Sequence, residues 1–197
     1  MHMPSIASNA AQPRPPLRIF FGLWPSGDDA ARIMAWAHDA QAAFGGRIMR
    51  ADTLHLTLAF LGSTPAGRVD ALVQAAPSWP APVGPIVLQR FGRFAGPRIV
   101  WAGPGTDDTD RLAWLDQLHD SLWSRLEAMG WPRPQSAFRP HVSLLRKAQP
   151  GDPAVLRRAP LAWTPAQCVL VASQPTDSGS YYQVLARMPL ETALAQN

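Results

Sequence analysis

Three of the five histidines in this 197-residue sequence have a hydroxyl residue two places later: His55 with Thr57, His119 with Ser121 and His141 with Ser143. Serine and threonine together make up only 20 residues, so three such spacings exceed chance without being decisive. The pairing has chemical meaning. Histidine, with an ordinary pKa of about 6.5, can give or take a proton near neutral pH. A neighbouring hydroxyl can donate a hydrogen bond to an anionic oxygen. Two such pairs facing one phosphoryl group would supply an acid, a base and oxygen-binding donors. No HExxH, cysteine pair or carboxylate cluster accompanies these histidines, and the nearest acids, Asp52 and Asp152, fall in predicted loops. The residues therefore fit a phosphate better than a bound metal. No metal or other cofactor is expected.

The elements that carry the histidines separate the three pairs. On a strand, residues i and i+2 point to one face. On a helix they lie about 200° apart and diverge. The stripe Leu112, Leu115, Leu118, Leu122 and Leu126 predicts a helix over 107–129, with Asp107 and Asp108 favouring its start and Gly130 ending it. His119 and Ser121 are thereby discarded, and His119 is expected to border the core. His38 falls in a second predicted helix, 27–43, capped by Ser26. His2 lies in the Pro-rich segment 1–16, which reads as a loose tail. In contrast, Leu54-His55-Leu56-Thr57-Leu58-Ala59-Phe60 alternates as a strand. His55 and Thr57 share one face; Leu54, Leu56, Leu58 and Phe60 take the other, inward one. His141 and Ser143 repeat this in a strand predicted over 138–145. Val142 and Leu144 point inward there, and Pro140, with no N–H, marks an edge or the strand's start. Polar residues on a solvated strand face are the ordinary explanation for one such motif. Two in a repeated context outweigh it.

The remaining pattern predicts strands at 17–24, 47–50, 86–94, 97–102, 167–174 and 181–188. A helix is predicted over 65–76. Gly96-Pro97 and Asp177-Ser178-Gly179 mark turns. The segment 77–85, with Pro77, Pro80, Pro82 and Pro85, reads as loop. Two half-units, each with an amphipathic helix and a histidine strand, predict a bilobal α+β fold. In it, two pseudo-symmetric, mainly antiparallel sheets carry helices outside and enclose a central cleft. The expected domain spans 17–190, between tails 1–16 and 191–197. Apolar residues make up 47% of the chain, enough for a sizeable core. A net charge of +4 suits an anionic partner, although the arginines are scattered. No apolar stretch approaches the roughly 20 residues of a membrane span, and no secretory leader is evident. The one cysteine, Cys168, sits in an apolar run and reads as a buried structural thiol. A single cysteine fits a reducing, cytoplasmic setting.

These motifs resemble the 2H phosphoesterase superfamily, specifically the RNA 2′,3′-cyclic phosphodiesterase family, historically called 2′-5′ RNA ligase. The resemblance spans nearly all of 17–188. Leu54 through Gly62 is similar to the family's first motif, and Phe138 through Arg146 to its second. Leu17 through Phe21 resembles its opening strand, and Phe91 through Gly103 its central hairpin. The resemblance implies hydrolysis of RNA 2′,3′-cyclic phosphate ends to 2′-phosphates, with reversible 2′-5′ ligation as a side reaction. It implies His55 as proton donor and His141 as proton acceptor, with Thr57, Ser143 and Arg146 on the phosphate. The implied partner is RNA or an oligonucleotide with a cyclic end, and no protein partner is called for. Ser143 departs from the more usual threonine but keeps the hydroxyl. Strict alternation would put Arg146 on the face opposite His141, so the strand must end, bulge or twist by Leu145, or Arg146 acts from the rim. Trp24, Phe94 and Tyr182 are expected at the cleft rim, where an aromatic ring can stack on a base. Two alternatives remain at this level. One is another cyclic phosphate, such as ADP-ribose 1″,2″-cyclic phosphate; the other is a non-catalytic RNA-end-binding module.

Overall fold

The apolar run Leu17-Arg18-Ile19-Phe20-Phe21-Gly22-Leu23-Trp24 forms the inner strand β1 (Leu17–Trp24), buried over Ile19–Leu23. A computed structural model describes residues 14–106, 112–176 and 179–192. Pro25 ends β1, and Ser26 caps helix α1 (Gly27–Phe44) by accepting the Asp29 N–H. Gly45 closes α1 at a positive φ of 56°. The chain continues through β2 (Arg47–Ile48), β3 (Leu56–Thr64), helix α2 (Ala66–Ala75), β4 (Ala81–Val83), β5 (Ile86–Leu88), β6 (Arg90–Phe94) and β7 (Ile99–Gly103). Then come helix α3 (Ala113–Ala128), β8 (Val142–Arg146), β9 (Leu161–Trp163), β10 (Gln167–Thr176), β11 (Gly179–Met188) and β12 (Leu190–Thr192).

The main sheet has the order β11-β10-β1-β3-β8-β7-β6, with β2 also on β8, and its pairs are antiparallel. It consists of two half-sheets. The register joins β3 to β8 at Leu56 opposite Val142, and these residues directly follow His55 and His141. The lobes exchange strands. β2, from the first half of the chain, pairs with β8, while β10 and β11, from the last third, complete the β1–β3 half-sheet. The helices cross over likewise: α1 packs against β8, and α3 against β3 and β4.

The core lies between helices and sheet, with Ile33, Trp36 and Ala40 of α1 and Leu115, Leu118 and Leu122 of α3 buried. A smaller apolar cluster, Phe20, Val169 and Val171, lies on the opposite face of the sheet and packs with Trp24 and Tyr182. Cys168 is fully buried beside the Met188 sulfur, and burial pushes its thiol up to about 12, as a structural cysteine should behave.

Some elements depart from expectation. Residues 81–83, read as loop because of their prolines, form β4 and pair in parallel with β12. Glu191 and Thr192 thus belong to a strand rather than to the expected C-terminal tail. The short β9, not anticipated, pairs with β5. The helix expected over 107–129 is seen from Ala113; Asp107 and Asp108 lie outside the described residues, as do His2, Asp177, Ser178 and 193–197.

Candidate active site

Both histidines stand one residue before their strands, not inside them as predicted. Ala51–Thr53 forms a single 3-10 turn, held by the Thr53 hydroxyl donating to the Arg50 carbonyl. The turn aims the Thr53 carbonyl at the His55 ring, 2.7 Å from Nδ1. In the second motif the Arg139 carbonyl lies 2.7 Å from His141 Nδ1. A carbonyl only accepts, so Nδ1 carries the proton in both rings and Nε2 is left to meet a substrate. The same bond, two residues back from each histidine, is a repeat that spacing alone could not reveal.

The strands then share an irregularity. On β3, Thr57 opposes Gly22 and Ala59 opposes Phe21, so Leu58 is an extra residue. On β8, Ser143 opposes Trp101 and Leu145 opposes Val100, so Leu144 is extra. Each bulge falls three residues after its histidine and inverts the alternation beyond it. Residues one, three and four places after each histidine are buried, and the fifth turns outward. Phe60, expected inside, is therefore 48% exposed. The same inversion removes the difficulty over Arg146, which reaches the histidine face.

Arg146, His55, Phe60, Arg18, Ser173 and Tyr182 line a cleft of about 360 Å³. Thr57, Phe60, Phe94, Arg139 and His141 open on an adjoining cleft of about 660 Å³. Phe60 belongs to both. Ser143 is half-buried and lines neither. His119 lines the larger cleft together with His141, but its ring stacks on Phe138 at 4.0 Å and lies beside Asp120 and Arg133.

Aromatic rings enclose the two histidines. Trp24 stacks on His55 at 4.7 Å and 15°, with its indole N–H donating to the Asp52 carbonyl. Phe20 lies at 4.9 Å and Tyr182 meets His55 edge-on at 5.4 Å. A Cβ at Gly22 would lie 3.0 Å from both the Leu56 carbonyl and the Trp24 ring, so any larger residue must push one of them aside. Phe94 and Trp101 flank His141 at 4.9 and 5.8 Å. Of the three aromatics read from the sequence, each contacts a histidine ring. Phe20, Trp101 and Arg18 went unread and Phe60 was read as inward, because their faces depend on register.

Burial holds His55 down to about 4; the Thr53 carbonyl opposes this, and the charges of His141 and Arg146 reinforce it. Burial lowers His141 too. Between pH 6.5 and 4 an unfolded chain therefore carries a proton at His55 that the folded chain lacks. Stability is expected to fall with pH across that window, by about 3 kcal/mol from this group. Denaturant unfolding at pH 7 and 4.5 tests this. His55→Gln should show a smaller acid loss than the parent; equal losses would refute it.

The Asp52 carboxylate is held by Arg50 through contacts of 3.0 and 2.7 Å and stays below the usual carboxylate range. Among the described residues, no group of three or more His, Cys, Asp or Glu is placed to hold a metal ion. No helix there is long and apolar enough to cross a membrane.

A mainly antiparallel α+β fold with two matched histidine motifs at adjoining clefts defines the class, and the sequence model of the 2′-5′ RNA ligase superfamily matches residues 25–172. The chain belongs to that superfamily. It is 32% identical over 133 residues to the RNA 2′,3′-cyclic phosphodiesterase of Escherichia coli (strain K12), covering 68% of this chain and 73% of the relative. It is 27% identical over 177 residues to the enzyme of the same name from Geobacillus stearothermophilus, covering 84% of this chain and 51% of that relative. The crystal structure of E. coli LigT in apo form superposes with a TM-score of 0.70 at 30% identity, over 90% of this chain and 99% of LigT. LigT complexed with 3′-AMP gives 0.71 at 28% identity, over 89% and 98%.

Proposed function

We propose that this chain hydrolyses 2′,3′-cyclic phosphate ends of RNA or oligonucleotides to 2′-phosphates in the cytoplasm, with His55 and His141 as acid and base. The observation that carries the reading is the repeated carbonyl-to-Nδ1 bond, which leaves Nε2 of His55 for the cleft lined by Arg146 and Nε2 of His141 for the adjoining cleft, the two meeting at Phe60. His141 Nε2 accepts a proton from water as the water oxygen attacks phosphorus. The bond from phosphorus to the 3′ oxygen breaks, and His55 Nε2 gives that oxygen its proton, leaving the phosphate on the 2′ oxygen. Thr57 and Ser143 hydroxyls and Arg146 hold the non-bridging oxygens. Burial keeps His55 neutral in the free protein. The donor therefore takes up its proton as the anionic phosphate binds and offsets the neighbouring positive charges. The same ring opening with a 5′-hydroxyl in place of water would form a 2′-5′ linkage as the 3′ oxygen leaves, but hydrolysis dominates in water.

Product analysis on an oligonucleotide ending in a 2′,3′-cyclic phosphate tests the reading. The expected product is a 2′-phosphate, formed at the same rate with and without EDTA. A 3′-phosphate would reverse the assigned bond cleavage, and loss of activity on chelation would restore a metal to the scheme. Tight binding without product would favour an RNA-end-binding module. Faster opening of ADP-ribose 1″,2″-cyclic phosphate would move the substrate within the same chemistry.

A further inference from the structure

The short strand β2 brings a second arginine to the edge of the His55 cleft. Arg47 directly opposes Arg146 in an antiparallel pair. Opposed residues point to one face of a sheet, with Cβ atoms about 4.5–5.5 Å apart. Arg47 therefore stands on the histidine face beside Arg146. Its guanidinium reaches across to the other half-sheet, where a Cβ added to Gly179 would lie 3.3 Å from Nη1. Arg47, Arg146, Gly179 and Ser180 line one recess, and Arg146 and Ser180 also line the His55 cleft. The recess thus continues that cleft toward β2.

An arginine on a short edge strand ordinarily serves only to keep the edge from pairing. Two observations set Arg47 apart. It is half-buried against Gly179 rather than extended into water. Among the described residues no carboxylate forms an ion pair with it or with Arg146, whereas Arg50, in the same recess, is neutralised by Asp52. Like charges directly opposed across two strands repel. An anion held by the pair relieves that repulsion and accepts charge-assisted hydrogen bonds. Arg146 faces the reacting phosphate, which leaves Arg47 for a second anion. A 2′,3′-cyclic phosphate closes the last nucleotide of a strand, so its one neighbouring phosphate is the diester on that nucleotide's 5′ oxygen. We propose that Arg47 binds this diester, and that the protein thereby selects cyclic ends of oligonucleotides over cyclic mononucleotides. The proposal rests on the cyclic phosphodiesterase reading for its substrate.

The first test uses binding, so that it does not depend on turnover. Calorimetry on the full chain compares adenosine 2′,5′-bisphosphate with adenosine 2′-monophosphate for the parent, Arg47→Ala and Arg47→Lys. The parent is expected to bind the bisphosphate about tenfold more tightly. Arg47→Ala should bring the two affinities to within about twofold of each other, and Arg47→Lys should keep part of the preference, because the charge remains without the fork. A parent with no preference, or a preference that survives in Arg47→Ala, overturns the site. Equal weakening of both ligands also overturns it, because that marks a merely structural role. The second test follows turnover of a dinucleotide ending in a 2′,3′-cyclic phosphate, with either a phosphodiester or an uncharged methylphosphonate between its nucleosides. The parent should lose about tenfold in kcat/KM on the uncharged linkage, and Arg47→Ala should not distinguish the two. A parent indifferent to the linkage overturns the diester assignment. Absence of turnover on both substrates, with an Arg47-dependent preference for the bisphosphate, would sink the hydrolase reading and leave the second phosphate site standing.

Discussion

His55→Ala and His141→Ala are each expected to lower turnover of a cyclic-ended oligonucleotide by about 10²–10⁴-fold, the usual worth of a positioned acid or base. The double variant should be little worse than either single one, because the two groups act in one transition state. Neither loss should come from unfolding. Each ring gives one hydrogen bond to a local carbonyl and otherwise packs among aromatics. A thermal melt near the parental value confirms the fold. Near-parental activity in either single variant would defeat the acid–base scheme. A phosphodiester with a nitrophenolate leaving group separates the roles, since that oxygen needs no proton. The donor variant, His55→Ala, should then recover much of its rate, and the acceptor variant should not. The opposite pattern would exchange the assignments.

Arg146→Ala is expected to reduce kcat/KM by about 10–100-fold, the range for losing a charge-assisted hydrogen bond to a phosphate oxygen. Arg146→Lys should recover part of the loss, because a point charge replaces a fork. A second readout identifies the mechanism. Arg146 helps to hold the His55 pKa down, so its removal should move the acidic limb of the kcat/KM profile upward. An Arg146→Ala enzyme within about twofold of the parent, with that limb unmoved, would place the arginine outside the reaction. The reach of Arg146 depends on the bulge at Leu144. A chain lacking Leu144 should resemble Arg146→Ala in activity even though it retains every named site residue.

The dependence on bulges also shows where sequence reading ended. Local signals were legible: the β1 run, the Ser26 cap and the leucine stripe of α3 all act within a few residues. The histidine pairs were legible as well, because the spacing of two needs only a strand to make it meaningful. Phe60 was misplaced because Leu58 is extra only relative to β1, whose register the β3 sequence does not contain. The Arg146 problem had the same origin on β7. The strand β4 stayed hidden because its partner lies in residues 190–192, and a Pro-rich triplet has no strand signal of its own. The Nδ1 bonds arise from backbone carbonyls, which side-chain patterns do not report.

The exchange of strands between the lobes has a consequence for synthesis. When the ribosome has made both histidine motifs, β1 and β3 are present but their outer neighbours β10 and β11 are not. The long edge of β1 then lacks its partner, and Tyr182 has yet to reach His55. An N-terminal fragment is therefore not a smaller working unit, and cutting the chain between the motifs would leave each half with strands belonging to the other. Because these contacts span most of the chain, closure of the β1 lobe must await its last third. The nascent protein thus acquires its complete cleft only after β10 and β11 have been made.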